Sequence, residues 1–364
     1  MPITVFKPSI RRRDMDAVLS CLVSDQLGPG ATLQSFVGDV AKYLGLSGGG
    51  AVREYRRAIS IVLRALGVGH GARVAVSVLA PSVYRDALVA AECEVVLCDV
   101  ERDIPVIDPA RIEAATTGGI DALVVHTTLG FVPNLAAIAE MGIPFVEDVS
   151  HGLGSHTGEK LCGTHGSYTV VGCEPSDVIT TGGGAVILGA GRKERATIRS
   201  VLDGYTEDVI MPDMNAALGV TQIKEIEKFI ARRKEIAGVF SRAVMASRHR
   251  VPVQHGEAEN VFYAFPVLVE SAVPEAQLYA RKKDVTTVPA FAGSIYARML
   301  EDADAPSDAG LQTDGETAVV AAPLDPAAFP NARRFFMRCI LFPLYPSLGR
   351  NDVETIQRVL GTLP

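Results

Sequence analysis

The chain contains no tryptophan, no C-x-x-C pair, no stretch dense in lysine and arginine, and no long apolar run. Most of these absences remove a class of function. A membrane helix needs about 18 or more consecutive apolar residues, so no span is expected. The opening Met1-Pro2-Ile3-Thr4 lacks a charged segment followed by an apolar one, so no signal peptide is expected. The six cysteines are scattered at 21, 93, 98, 162, 173 and 339, which fits reduced thiols in the cytoplasm. With a net charge of −7 and no basic stripe, nucleic acid is not an expected partner. No metal site is expected. The missing tryptophan carries no functional reading.

What is present is a long, mildly apolar chain with a repeating strand–helix pattern. At 364 residues and 48% hydrophobic content, two domains and a large core are expected. Met15, Val18, Leu19 and Leu22 recur at helical spacing within 11–24. Gly28-Pro29-Gly30 then breaks the chain. Helices are predicted over 33–43 and 53–66, the second closed by Gly67. Apolar runs at 74–78, 95–98, 122–125 and 143–146 alternate with helical patterns at 83–91, 108–115 and 135–140. Such alternation predicts a mostly parallel sheet covered by helices. A basic helix over 193–202 follows, then a long helix from Pro212 to about Ala243. Beyond it come a strand over 261–269, a short helix over 274–281, an apolar run at 336–342 and a closing helix over 351–360. The boundary is placed near 245, giving a large domain 1–245 and a small α+β domain 246–364. Residues 301–330 hold seven acids and no lysine or arginine, and are predicted to form a mobile surface loop.

The chemistry concentrates in 145–188. An apolar run delivers Glu147 and Asp148 to the edge of a sheet, and a glycine-rich hairpin follows over 152–166. A strand at 168–171 leads to the tight turn Pro175-Ser176-Asp177, the loop Thr180-Thr181-Gly182-Gly183-Gly184 and another strand at 185–188. Ligands of open α/β sheets sit at the carboxyl ends of strands, so both ends of this stretch are expected to line one crevice.

Several motifs together carry a family resemblance. They are Ser24-Asp25-Gln26-Leu27-Gly28-Pro29-Gly30, Arg64-Ala65-Leu66-Gly67-Val68-Gly69 and the run from Val124 to Gly130. Val146-Glu147-Asp148-Val149-Ser150-His151, Gly163-Thr164-His165-Gly166 and Phe342-Pro343-Leu344-Tyr345-Pro346-Ser347-Leu348 complete them. The chain resembles, nearly end to end, the DegT/DnrJ/StrS sugar aminotransferases, pyridoxal-phosphate (PLP) enzymes of fold type I. The resemblance implies that fold: a large domain with a mostly parallel seven-stranded sheet covered by helices, and a smaller C-terminal domain. It also implies a dimer, because the family builds each site from two subunits.

Residue by residue, the resemblance implies a site whose chemistry is altered. The lysine that forms the imine with the cofactor follows Pro-Ser in the family, and Asp177 stands there. An aspartate forms no imine. Lys160 is the nearest lysine in sequence, and lies in the hairpin. The Ser-Gly-Thr turn that holds the cofactor phosphate at a helix N-terminus corresponds to Glu54-Tyr55-Arg56. Tyrosine in place of glycine blocks close approach. The Glu54 charge about 5 Å from another anion costs on the order of 3 kcal/mol at an effective dielectric near 20, which Arg53, Arg56 and Arg57 could offset. The serine and the partner subunit's asparagine that complete the phosphate cup correspond to Gly172 and Asp208, and the stacking aromatic to Pro81, with Tyr84 three residues on. Asp148 alone keeps its family role, pairing with the pyridine nitrogen, while His151 stands where the family has Gln or His.

Each residue also has a plain structural reading. Asp148 is equally a turn cap at a strand end, His126 and His151 are packed histidines, and Glu54 to Arg57 form a solvated helix face. The expectation drawn is a member of the family that has lost ordinary transaminase chemistry and has no cofactor of its own. It acts as a non-catalytic subunit, in a homodimer or with an active relative, or binds a small-molecule or nucleotide-sugar ligand. The alternative is an active PLP- or pyridoxamine-phosphate (PMP)-dependent aminotransferase or dehydratase on a nucleotide-linked keto-deoxysugar, with Asp177 or His151 as general base. A third possibility is a PLP-free enzyme built on Glu54, Arg56, Asp148 and Asp177.

Overall fold

The computed structural model describes residues 2–25, 27–254, 256–304 and 325–364. Seven strands form the main sheet: β1 (Gly48–Val52), β2 (Arg73–Ser77), β3 (Glu94–Cys98), β4 (Ala122–His126), β5 (Phe145–Asp148), β6 (Tyr168–Gly172) and β7 (Ala185–Gly189). Their order is β1-β7-β6-β5-β4-β2-β3. β2 to β6 run parallel, and β7 is antiparallel to both of its neighbours. Every residue of β4, β5, β6 and β7 is buried. Near-continuous burial is the mark of strands covered on both faces, as the sequence pattern required.

Helices cover the sheet because their apolar residues fall on one side. In Tyr55–Leu66 the buried set is Ala58, Ile59, Ile61, Val62, Leu63 and Ala65, and Gly67 ends the helix at φ 85°. That left-handed conformation costs glycine little. A second core gathers Ile236, Phe240 and Val244 of the helix Ile226–Met245 with Phe265, Val267, Ile340, Phe342, Ile356 and Leu360. It surrounds a small antiparallel sheet, β8 (Phe265–Leu268), β9 (Val288–Pro289) and β10 (Cys339–Phe342), with β10 in the middle. The chain start joins it, Ile3 bridging Val285.

Several elements differ from the sequence reading. β1 is absent from it, since Gly48-Gly49-Gly50 has low strand propensity. The strand tolerates little else there: a Cβ on Gly49 would lie 1.9 Å from Ile187 O, and one on Gly50 2.3 Å from Leu202 Cδ1. The strand expected at 143–146 is Phe145–Asp148, so Glu147 and Asp148 lie within the middle strand of the sheet and not at its edge. The single long helix is two, Asp213–Ile223 and Ile226–Met245. At the break, buried Glu225 collects Arg11, Arg13 and Lys228. The apolar run 336–342 splits between the helix Pro330–Arg338 and β10. In the expected acidic loop, 301–304 end the helix Ile295–Asp304, and 305–324 lie outside the described residues. Among the described residues no helix is long and apolar enough to cross a membrane, and no group of metal-binding side chains occurs.

Candidate functional site

β4, β5 and β6 end side by side, His126 pairing Asp148 in register and Asp148 pairing Val170. Successive side chains of a strand face opposite ways, so Glu147 and Asp148 serve different surroundings. Glu147, 1% exposed, accepts backbone N–H groups from Gly163 (2.6 Å), His165 (2.5 Å) and Gly166 (2.6 Å), clasping the hairpin behind the sheet. Asp148, fully buried, faces the cleft. Its Oδ1 accepts from Ser150 N (2.8 Å) and Ser150 Oγ (2.5 Å), closing the turn at the strand end. Its Oδ2 accepts from Tyr84 Oη (2.6 Å) and from the Tyr55 hydroxyl.

Tyr55 comes from the first residue of its helix, just past the carboxyl end of β1, and Tyr84 from the helix Ser82–Ala90. Their rings meet edge-on with centroids 6.5 Å apart. Burial first, and then the neighbouring Asp148, push both phenols well above their ordinary pKa, so both keep their protons and donate. The strand-end turn-cap reading of Asp148 therefore holds for one oxygen, and a side-chain clasp occupies the other.

The turn after β6 is interlocked with this group. Asp177 N donates to Glu174 O (3.0 Å), and Glu174 N donates to Asp177 Oδ2 (2.7 Å). A Cβ on Gly172 would stand 2.5 Å from Asp177 Oδ2 and 2.7 Å from Ser150 Oγ. Gly172 N donates to that same Ser150 Oγ (2.7 Å). The space a side chain at 172 would use is taken by Asp177 and Ser150. Burial raises the Asp177 carboxyl well above the carboxylate range. The Glu174 N–H and Arg233 pull it down, while Asp148 and Glu174 push it further up.

The opposite wall brings together residues far apart in sequence. Tyr263 stacks on His151 at 3.7 Å between centroids, and His126 meets His151 edge-on at 4.7 Å. Phe262, just before Tyr263, has φ +57°, a conformation rare outside glycine, held by its N–H to Asn260 Oδ1 (2.5 Å). Arg233 reaches in from the helix Ile226–Met245 and donates to the carbonyls of Phe262 (3.1 Å), Tyr263 (2.8 Å) and Leu344 (3.1 Å). Burial lowers its pKa to about 10, still far above neutral. Burial likewise lowers both histidines, His151 well below its ordinary value with His126 adding to it. His151 Nδ1 accepts from Leu129 N (3.3 Å), which places the proton of the neutral ring on Nε2. A neutral ring held in this way offers an N–H at Nε2.

Other expected site residues are less enclosed. Glu54 is the exposed N-cap residue of its helix and makes no side-chain cap bond. Arg56 is exposed and pairs with Asp86 at 3.3 Å, and Asp208 is exposed on the turn Glu207–Val209. Glu54 and Arg56 are thus solvent-exposed, in contrast to the fully buried Asp148. Pro81 caps the helix Ser82–Ala90 and bridges Ser294. None of the chain's lysines is buried: Lys160 is exposed at its hairpin, and the half-buried Lys234 pairs with Glu259. Arg233 and Tyr263 escaped the sequence reading because no local pattern marks a contact to His151 or Asp177 across the cleft.

The comparisons with known proteins fit this geometry. The DegT/DnrJ/EryC1/StrS aminotransferase family model matches residues 8–361. The chain is 23% identical to a dTDP-4-dehydro-2,3,6-trideoxy-D-glucose 4-aminotransferase of Saccharopolyspora spinosa, covering 97% of this chain and 94% of that one. A sugar aminotransferase of Streptococcus pneumoniae, Spr1654 in its PMP form, superposes with a TM-score of 0.87 at 17% identity, covering 100% and 98%. A GDP-4-keto-6-deoxymannose-3-dehydratase mutant with bound GDP-perosamine superposes with a TM-score of 0.83 at 17% identity, covering 98% and 100%. These likenesses place the chain on the PLP-transferase fold of type I. From near its first residue to near its last, the chain belongs to the DegT/DnrJ/EryC1/StrS aminotransferase family.

Proposed function

We propose that this chain serves nucleotide-sugar metabolism without forming a Schiff base of its own, as a non-catalytic or partner subunit of the sugar aminotransferase family. The observation that carries the reading is the cleft's lack of an amine. Asp177 fills the turn after β6, and no lysine of the chain is buried. The neighbouring residues fit PLP no better: Asp148 has both oxygens engaged, and Gly172 offers no hydroxyl. No catalytic step through that group is assigned to this chain.

The partner is a second copy or a related aminotransferase. A candidate contact face is the helix Arg12–Val23, where Met15 (58% exposed), Leu19 (56%), Leu22 (47%) and Val23 (77%) stand open to solvent. An absorbance titration of the purified protein with PLP, and another with PMP, tests the reading. It expects no aldimine band and no saturable uptake. Stoichiometric yellow protein that aminates a nucleotide keto-sugar defeats it.

A second reading draws support from the named relatives, an aminotransferase and a dehydratase matched over nearly their whole length. Here the chain is an active PLP- or PMP-dependent enzyme on a nucleotide-linked keto-deoxysugar. Asp177, whose burial favours its protonated form, exchanges the proton, and His151 orients the ligand as a donor at Nε2. Saturable PMP uptake by the wild type, with turnover lost in Asp177→Asn, would establish it.

A further inference from the structure

We infer that Tyr55 is the residue that shuts this cleft to a pyridoxal-type cofactor, and that the aspartate at 177 is secondary to it. The inference rests on the non-transaminating reading and identifies the side chain responsible.

Three observations converge on Tyr55. Its backbone opens the helix whose N-terminus the family resemblance assigns to the cofactor phosphate. Its hydroxyl reaches Asp148, the carboxyl group the same resemblance assigns to the ring nitrogen. One side chain therefore reaches from the anion end to the ring end. Tyr84 closes on the same oxygen at 2.6 Å, with its ring edge-on to that of Tyr55, so the carboxyl group is shared by two buried donors. An incoming pyridine nitrogen would have to displace both phenols. Leaving a buried phenol hydroxyl without a partner is costly, so the pair holds itself in place.

The turn at 177 has further bonds of its own. Asp177 Oδ2 holds Glu174 N and fills the space over Gly172, while Ser150 bridges Asp148 and Gly172. A lysine introduced at 177 loses the bond to Glu174 and still enters a cleft filled by Tyr55. The two positions are therefore ordered: opening at 55 must come before any effect of an amine at 177.

The test compares wild type, Tyr55→Ala, Asp177→Lys and the double variant by equilibrium titration with PMP and with PLP, followed by absorbance and thermal melting. Tyr55→Ala, with Asp177 in place, is expected to bind PMP at least tenfold more tightly than wild type, reversibly and with a raised melting temperature. Asp177→Lys alone is expected to bind neither form better than wild type. The double variant is expected to give a borohydride-fixable PLP adduct at residue 177. Should Tyr55→Ala not fold, Tyr55→Leu keeps apolar bulk over the helix but falls short of Asp148, and the same gain is expected. Uptake of PLP by Asp177→Lys alone would overturn the inference, as would folded Tyr55→Ala or Tyr55→Leu binding no better than wild type. Cofactor bound by the wild type would overturn both this inference and the non-transaminating reading, whereas the variant outcomes above bear on Tyr55 alone, so the two failures are told apart by the wild-type titration.

Discussion

Glu147 and Asp148 are neighbours on one strand, both buried, and each is saturated with hydrogen bonds. Glu147 is held by backbone N–H groups, and Asp148 largely by side chains, two phenols and a serine hydroxyl. Backbone donors survive almost any substitution, whereas side-chain donors change with single residues. The rear of the sheet is thus a fixed clasp of the fold, while the front is the part of the family architecture that substitution can rewrite. In the reading proposed above, Tyr55, Gly172 and Asp177 are the residues that do so.

The comparison breaks most readily at the clasp. Glu147→Ala leaves three N–H groups without partners, those of buried Gly163 and Gly166 and half-buried His165, and is expected to cost on the order of 4 kcal/mol by urea unfolding. Asp148→Ala is expected to cost about half that, because three of the four donors it frees are hydroxyls that can rotate, and Ser150 Oγ still accepts from Gly172 N. Equal costs would mean that the two faces are not built differently.

Asp177→Asn sharpens it through pH. Burial raises the Asp177 carboxyl, so the folded state binds its proton more tightly than the unfolded chain does. That contribution is complete below the unfolded value of about 3.9 and is lost as pH rises through the folded value. Asparagine does not titrate and can still accept from Glu174 N. The variant should therefore gain on wild type as pH rises from about 4 to neutral, by about 1.4 kcal/mol for each unit of the shift. Parallel stability–pH curves for the two proteins would contradict the burial argument. The smallest effect is expected from Tyr55→Phe, about 1 kcal/mol, since Asp148 keeps Tyr84 and Ser150 as donors. A loss several times larger would make Tyr55 a structural pillar and not a replaceable filling.

How much of this was legible in sequence follows the range of the interactions. The alternation of apolar runs and helical patterns is local, and it located β2 to β7 and the helices between them. β1 was hidden because three glycines carry no strand signal, and their reason lies in Ile187 and Leu202, far along the chain. In the cleft, the turn at Pro175-Ser176-Asp177 and the placement of Asp148 beside it could be read from motifs. The reach of Tyr55 to Asp148 could not. Sequence marks tyrosine at that position as an obstruction but says nothing of where its hydroxyl ends. Tyr263 and Arg233 were invisible for the same reason: only tertiary packing brings them to His151 and Asp177.

The most direct measurement is intact-protein and peptide mass spectrometry of the wild type after stoichiometric PLP and borohydride reduction. An unmodified chain, with no pyridoxyl group retained on any cleft peptide, is the predicted result. A single pyridoxyl adduct formed in full yield would show that a lysine reaches the cleft after all, and would return the protein to the ordinary transaminases.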